Sequence, residues 1–425
     1  MALPTRLARR IAGLVSARLP ELRLDLVVDP RHRRGKWPLT MLLTAAIAGI
    51  ASGCRNLQEV ERLTERLSRA GRKLLRVPRR VPDTTLRDLL DAFAPHALRP
   101  ALWRQVKAAI RRKAVGPYRL PFGVVTMDGR STATRLTDEQ YAQTQHPQDG
   151  KAFGLVRTIT STLVSSRAKV CLDMNPIPPT TNEMGYFKVA FEQLAGVYGE
   201  EVFQLVTYDS GACSEENGRL VEQANRAYLF RLKQGDQPTI FAEAERTLGR
   251  LSPREAEAET TEMVGRKTVI RRVWRTAEMA GWHGWEHLRT VLRVETETIG
   301  PDGEAVLFQR YFISSLRMRR LTAEQWLEVV RRHWGVENKN HWVWDAIFKE
   351  DERPWILSPR GMLTVMLLRR IAYNLLALFR SVTQRSEEKR RVPWKDLISD
   401  VHLALATLAA NDIAGLRARR SPAPV

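Results

Sequence analysis

Phe122-Gly-Val-Val-Thr-Met-Asp-Gly129 and Phe203-Gln-Leu-Val-Thr-Tyr-Asp-Ser210 are two runs of the same make. Each is apolar and rich in β-branched or aromatic residues, so each predicts a buried strand. Each closes on a carboxylate, Asp128 in the first and Asp209 in the second. A third acidic residue, Glu337, lies in Arg332-His-Trp-Gly-Val-Glu-Asn-Lys-Asn-His-Trp-Val-Trp-Asp345. The spacing of that segment predicts a helix with Glu337, His341 and Asp345 at i, i+4 and i+8 on one face. Two strand-end aspartates and one helical glutamate, remote in sequence, form the donor set that a folded site for two divalent cations requires.

Outward from these runs the texture is α/β. Strands are predicted at Val124 to Asp128, Phe153 to Thr160 and Ala168 to Asp173. A helix at Asn182 to Val197 follows, with Glu183 in its first turn, then a strand at Phe203 to Asp209, a helix at Glu215 to Arg226 and a strand at Tyr228 to Lys233. That order predicts a mixed α/β sheet of the ribonuclease H type, in which neighbouring strand ends bring remote carboxylates to one edge. Lys267 to Arg275, Leu288 to Thr298 and Ala305 to Ser314 alternate as strands, with Pro301-Asp302-Gly303 a turn before the third. They read as a β-rich insertion ahead of the Glu337 helix.

The first 115 residues read as helical, at Leu7 to Leu19, Leu39 to Ala51, Asn56 to Leu67, Thr84 to Ala94 and Pro100 to Arg112, with Thr84 or Thr85 as a cap. Two further helical stretches, Arg360 to Phe379 and Trp394 to Ala409, are joined by a charged linker, Gln384 to Arg391. Neither Met41 to Ile50 nor Gly361 to Phe379 is a convincing bilayer span, the first being short and the second interrupted by Arg369-Arg370. The N-terminus lacks the residue order of a signal peptide. Cys54, Cys171 and Cys213 are widely spaced and odd in number, which fits neither a zinc site nor a disulfide framework and makes a reducing cytoplasm the expectation.

The net charge of +21 is unevenly spread. Residues 1–115 carry 25 Lys/Arg against 9 Asp/Glu, residues 316–425 carry 20 against 12, and residues 116–315 carry 23 against 26. Two basic flanks thus bracket a slightly acidic centre that owns Asp128 and Asp209. Such flanks suit a polyanion, or reflect an Arg-rich solvated surface.

Several motifs recur together: Val125-Thr-Met-Asp-Gly-Arg130, Thr181-Asn-Glu183, Val206-Thr-Tyr-Asp-Ser210, Tyr228-Leu-Phe-Arg-Leu-Lys233 with Gln237-Pro238, Tyr311-Phe-Ile-Ser-Ser-Leu316, and His333-Trp-Gly-Val-Glu-Asn338 with His341-Trp342 and Asp345. With Asp29-Pro-Arg31 and Arg34-Gly35 they resemble, in this fixed order, the bacterial insertion-sequence transposases of the DDE type, H-repeat-associated subgroup, with a ribonuclease H-like core. The chain departs from that pattern at Arg130, Thr180-Thr181, Ser210, Val330, His333 and Trp344, none of them a metal ligand.

The resemblance implies a division into a basic helical DNA-binding region (1–115), the first part of the core (116–234), a β-rich insertion (235–316), the catalytic helix and end of the core (317–381) and a charged linker with a last helix (382–425). It implies Asp128, Asp209 and Glu337 as catalytic residues and ligands of two Mg²⁺ ions, with Mn²⁺ able to substitute. Arg130, Lys233, His333, Asn338 and His341 are expected at DNA. The partners implied are double-stranded DNA, as transposon ends and target, and a second copy of the chain at synapsis. A decayed or co-opted DNA-binding protein and a nuclease on the same sheet remain alternatives. Each residue also has a plainer use: the aspartates as turn formers, Glu337 as a solvated helix residue, Asp345 as a surface charge or fourth ligand, the histidines as structural groups. Trp334, Trp342 and Trp344 can stack on a flipped base or fill the core, and at least one must be buried.

Overall fold

The computed structural model describes residues 5–31, 36–148, 150–335 and 342–416 of the 425-residue chain. Six helices come first: α1 (Thr5–Arg18), α2 (Leu39–Ala51), α3 (Leu57–Arg66), α4 (Arg69–Leu75), α5 (Asp83–Ala92) and α6 (Arg99–Arg111). The core then runs β1 (Val124–Thr134), β2 (Gln143–Gln145), β3 (Phe153–Leu163), β4 (Cys171–Ile177), α7 (Glu183–Val197), β5 (Leu205–Tyr208), α8 (Glu215–Gln223), β6 (Ala227–Leu232) and α9 (Pro238–Leu248). Four long strands follow, β7 (Ala258–Val264), β8 (Lys267–Thr276), β9 (Thr290–Ile299) and β10 (Ala305–Ser314). The chain closes with α10 (Ala323–Gly335), α11 (Pro359–Leu378), α12 (Glu387–Arg390), α13 (Trp394–Thr407) and α14 (Ala410–Ile413).

One sheet carries all ten strands, in the order β2-β3-β1-β5-β6-β10-β9-β8-β7, with β4 also on β3. β1, β5 and β6 are mutually parallel, β3 runs antiparallel to β1, and β4 runs antiparallel to β3. This is the ribonuclease H-like mixed α/β core. The strands predicted from Lys267 to Ser314 are present. They do not stand apart from the core, because β10 pairs antiparallel with β6 and continues its sheet. Pro176 is tolerated within β4 because that strand has only β3 as a neighbour.

Alternation sorts the side chains onto two faces. Val125, Met127, Val206, Tyr208, Tyr228 and Phe230 pack with α7 and α8 residues such as Phe187, Phe191 and Val221. Val124, Leu205, Leu229 and Phe312 pack with Trp326, Val329 and Val330 of α10. A third core joins the N-terminal helices to α11 and α13. Pro359–Thr383 is the one helix among the described residues long and apolar enough to cross a membrane, yet 94% of its apolar window is buried within the protein. The expected cap at Thr84 or Thr85 is corrected: the helix starts at Asp83 behind Pro82, whose fixed φ sets the entry, and the first N–H is met by Glu61 Oε2 at 3.4 Å.

Candidate functional site

β1 and β5 are parallel neighbours in the register Val125↔Val206 and Thr126↔Thr207, so Asp128 and Asp209 each stand two residues beyond a paired threonine. Residues two apart share a face, which puts both carboxylates on the α10 side of adjacent strands. Asp128 is buried to 9% exposure and faces Thr160 of β3 across the antiparallel pair. Asp209 follows the last residue of β5 in extended conformation, and its Oδ1 accepts the Gly211 N–H at 2.7 Å.

The floor beneath the pair is polar and closed. Thr126 Oγ1 and Thr207 Oγ1 hydrogen-bond at 2.8 Å, and Thr207 Oγ1 bonds His333 Nδ1 of α10 at 3.0 Å. Burial pushes the His333 imidazole down to about 4, with Asp209 opposing and Arg231 assisting, so it is neutral near pH 7. It therefore adds no positive charge beside the aspartates. Expected at DNA, His333 is instead buried between helix and sheet.

Arg130 also has an inward setting. Its side chain, 7% exposed, pairs with Asp345, with Asp351 at 2.8 Å and with Glu350 at 3.3 Å. Thr132 Oγ1 donates to Asp351 Oδ1 at 2.9 Å, and Thr134 Oγ1 donates to the Leu357 carbonyl at 2.7 Å. Alternate residues of β1 beyond Asp128 thus hold the segment 345–357 along the same face. Glu350 is fully buried and bound at both oxygens by Arg370, at 2.7 and 2.8 Å. Burial alone would raise its carboxyl, but Arg370 and Arg130 hold it at about 2.

Glu337, Asn338 and His341 lie outside the described residues, as does Arg34-Gly35. α10 is described to Gly335, and the chain is described again from Trp342, with Asp345 in a short π-helical turn. Among the tryptophans, Trp344 is wholly buried under Arg370, 3.7 Å from its ring, whereas Trp342 is 50% exposed. Trp334 is half-buried, with Arg310 4.4 Å above its ring. Lys233 is exposed just past the end of β6.

Two residues of the site carry more than their sequence positions disclosed. Arg231 lies on β6 one position beyond the Tyr208↔Phe230 pair, so it stands level with Asp209 and on its face. Its Nε is buried without a hydrogen-bond partner. The second is Glu183, the first residue of α7, whose Oε1 accepts the Tyr208 hydroxyl at 2.5 Å. Burial and nearby Asp209 raise its carboxyl above the ordinary range, against the Tyr208 hydrogen bond.

Among the described residues no group of three or more His, Cys, Asp or Glu side chains is arranged to hold a metal ion. The described part supplies two carboxylates, with no thiolate and with the one adjacent imidazole already bonded to Thr207. That is a hard, all-oxygen pair, suited to Mg²⁺ or Mn²⁺ rather than to zinc.

The chain matches the family model described as a transposase DDE domain over residues 123–375. Two proteins of Escherichia coli K12, the H repeat-associated protein YhhI and the protein YbfL, are each 35% identical to it over 71 residues. Those matches span 17% of this chain and 18% of each relative. A solved piggyBac transposase synaptic complex with hairpin DNA is similar over 95% of this chain and 80% of its own, with 11% identity and a TM-score of 0.42. The family model takes in more than half of the chain, both aspartate-bearing strands and all of the segment between β1 and the last turn of α11, so the chain belongs to the DDE transposase domain family.

Proposed function

We propose that this protein is a DNA transposase that binds the ends of its own element and cuts and joins DNA strands at Asp128, Asp209 and Glu337. The observation that carries the reading is the bracketing of the two aspartates. Four residues before Glu337, His333 bonds Thr207, two positions from Asp209. Eight residues after it, Asp345 pairs with Arg130, two positions from Asp128. Residues 333 and 345, on either side of Glu337 in the sequence, therefore both contact the strands that carry the aspartates.

Asp128 and Asp209 would hold two Mg²⁺ ions together with Glu337, and bound ions of this kind neutralise and align the attacking and departing oxygens of a phosphodiester. Water attacks first and frees a 3′-hydroxyl, which then attacks a target strand. Arg231 and Lys233, on the same face and at the same strand ends, are placed to meet the phosphates. End binding falls to the N-terminal helical region, residues 1–115, where Arg62 and Arg66 of α3 and Arg69, Lys73 and Arg76 on and after α4 are exposed. Such contacts make binding salt-dependent. Joining two ends implies at least a dimer on DNA, working in the cytoplasm at the nucleoid.

The test uses short inverted repeats flanking the gene as substrate. Asp128→Asn and Glu337→Gln should still shift end DNA in a gel and lose Mg²⁺-dependent cleavage by about 10³-fold or more. Normal cleavage by either variant overturns the assignment. Binding without any nicking by the wild-type chain would leave a DNA-binding protein in its place.

A further inference from the structure

Glu183 is not needed by the proposed chemistry, yet the structure builds a place for it. Its helix starts beside Gly129 in the middle of β1 and Tyr208 at the end of β5. Asn182 caps that helix, its Oδ1 accepting the Gly185 N–H at 2.8 Å. The preceding loop is fixed from β3 by Arg157, whose Nη2 donates to the carbonyls of Pro178 at 3.3 Å and Thr181 at 2.5 Å. So the first turn of α7 is held against the sheet independently of Glu183 itself.

The Glu183 carboxylate then touches both aspartate-bearing strands. It accepts the Tyr208 hydroxyl at 2.5 Å and lies directly against the backbone of Gly129. Tyr208 immediately precedes Asp209 and Gly129 immediately follows Asp128. A Cβ at residue 129 would lie 2.0 Å from the Glu183 carboxyl, and one at Gly211 would lie 3.7 Å from Oε1. Glycine at 129 is thus required by the close approach of this carboxylate to the β1 backbone.

The faces decide what Glu183 does. Tyr208 packs with the α7 side of the sheet, and residues 128 and 209 alternate onto the α10 side. Glu183 therefore reaches both strands from the α7 side, its Oε1 close to Asp209, since a Cβ at residue 211 would lie 3.7 Å from that oxygen and 3.0 Å from Asp209 Oδ1. We propose that Glu183 is a positioning residue, a two-point tie that locks Gly129 to Tyr208 and so fixes the separation of Asp128 and Asp209 for divalent-metal binding. The inference rests on reading the two aspartates as metal ligands. Asp-Gly in the middle of one strand and Asn-Glu at the head of a helix are then two halves of one device.

The experiment is calorimetric titration of Mn²⁺ into the full-length protein without DNA, alongside thermal unfolding. Glu183→Ala should bind Mn²⁺ about 10–100-fold more weakly, the usual cost of removing a group that orients a metal ligand. Glu183→Gln, which keeps one acceptor, and Tyr208→Phe, which removes one donor, should each fall between that variant and wild type. Tyr208→Phe combined with Glu183→Ala should be no worse than Glu183→Ala alone, because both remove the same contact. Wild-type Mn²⁺ affinity in a folded Glu183→Ala protein overturns the inference. Should that variant unfold, wild-type affinity in Tyr208→Phe overturns it. Asp128→Asn separates the two readings: if it too binds Mn²⁺ normally, the metal site itself is wrong, whereas its failure beside an unaffected Glu183→Ala condemns only the tie.

Discussion

The two halves of the ten-stranded sheet handle charge in opposite ways. In the half built from β1, β5 and β6, charges on the strands are few and meet buried partners off the sheet, as in the Glu350–Arg370–Arg130 cluster, and Val124 to Asp128, Leu205 to Tyr208 and Ala227 to Phe230 are buried on both faces. In the half built from β7 to β10, charges stand in rows on the strands themselves. Arg271 pairs with Glu262, Arg275 with Glu257, and Arg272 with Glu259, Glu295 and Glu297. Burial fixes register in the first half, since a one-residue slip would exchange the side chains that fit α7 and α8 with those that fit α10. Cross-strand ion pairs do part of that work in the second, where the far ends of β7 and β10 leave Met263, Val264, Leu307 and Phe308 exposed. The half that carries the aspartates is the half in which a strand cannot slide.

The largest expected effect lies in the buried cluster. Glu350→Ala leaves Arg370 and Arg369, both essentially inaccessible, and most of Arg130 without their common carboxylate. Breaking a buried pair this way costs about 3–5 kcal/mol, and denaturant unfolding should report it. A midpoint equal to that of wild type would show that the cluster is hydrated and the contrast between the halves false. The same group sets a pH dependence. Its folded-state pKa of about 2 lies below the ordinary 4.5, so its contribution is complete above pH 4.5 and is lost as pH falls toward 2. Glu350→Gln should lose stability at neutral pH and show a shallower decline across that window.

Next in size is the threonine beneath the aspartates. Thr207→Val removes the group that both Thr126 Oγ1 and His333 Nδ1 bond, and leaves two buried polar atoms to find other partners. About 1–3 kcal/mol is expected. A loss below about 0.5 kcal/mol by thermal unfolding would mean that His333 is not anchored through this contact. His333, four residues before Glu337, would then not be held beside Asp209 by Thr207.

Much of this architecture was readable before any coordinates. β1, β5 and β6 announced themselves because short β-branched runs between turn residues have few other uses, and Glu183 was already assigned to a first helical turn. What escaped was long-range or short. The pairing of β6 with β10 joins residues about eighty positions apart, and nothing local in either strand specifies its neighbour. α4 spans only seven residues, too few for a periodic pattern to emerge beside α3. Arg130 read as a phosphate contact because its partners, Asp345, Glu350 and Asp351, lie more than two hundred residues away. The role of Glu183 needed the faces of the sheet to be known, although glycine after the first aspartate was a visible sign of a close approach.

The smallest expected effect tests the other half of the contrast. Arg272→Ala removes a guanidinium that bridges Glu259 at 2.6 Å, Glu297 at 2.8 Å and Glu295 at 3.1 Å. Its partners differ in exposure, from 50% at Glu259 to 5% at Glu295, so solvent screens part of the network and the loss should be about 1 kcal/mol. Because the outer contacts face water, the effect should shrink between low and high salt, whereas that of Glu350→Ala should hardly change. Equal salt sensitivity in the two variants would erase the distinction. A large, salt-independent loss at Arg272 would instead make the β7–β10 extension a charge-locked continuation of the catalytic sheet, as rigid at its ion pairs as β1 is at its apolar core.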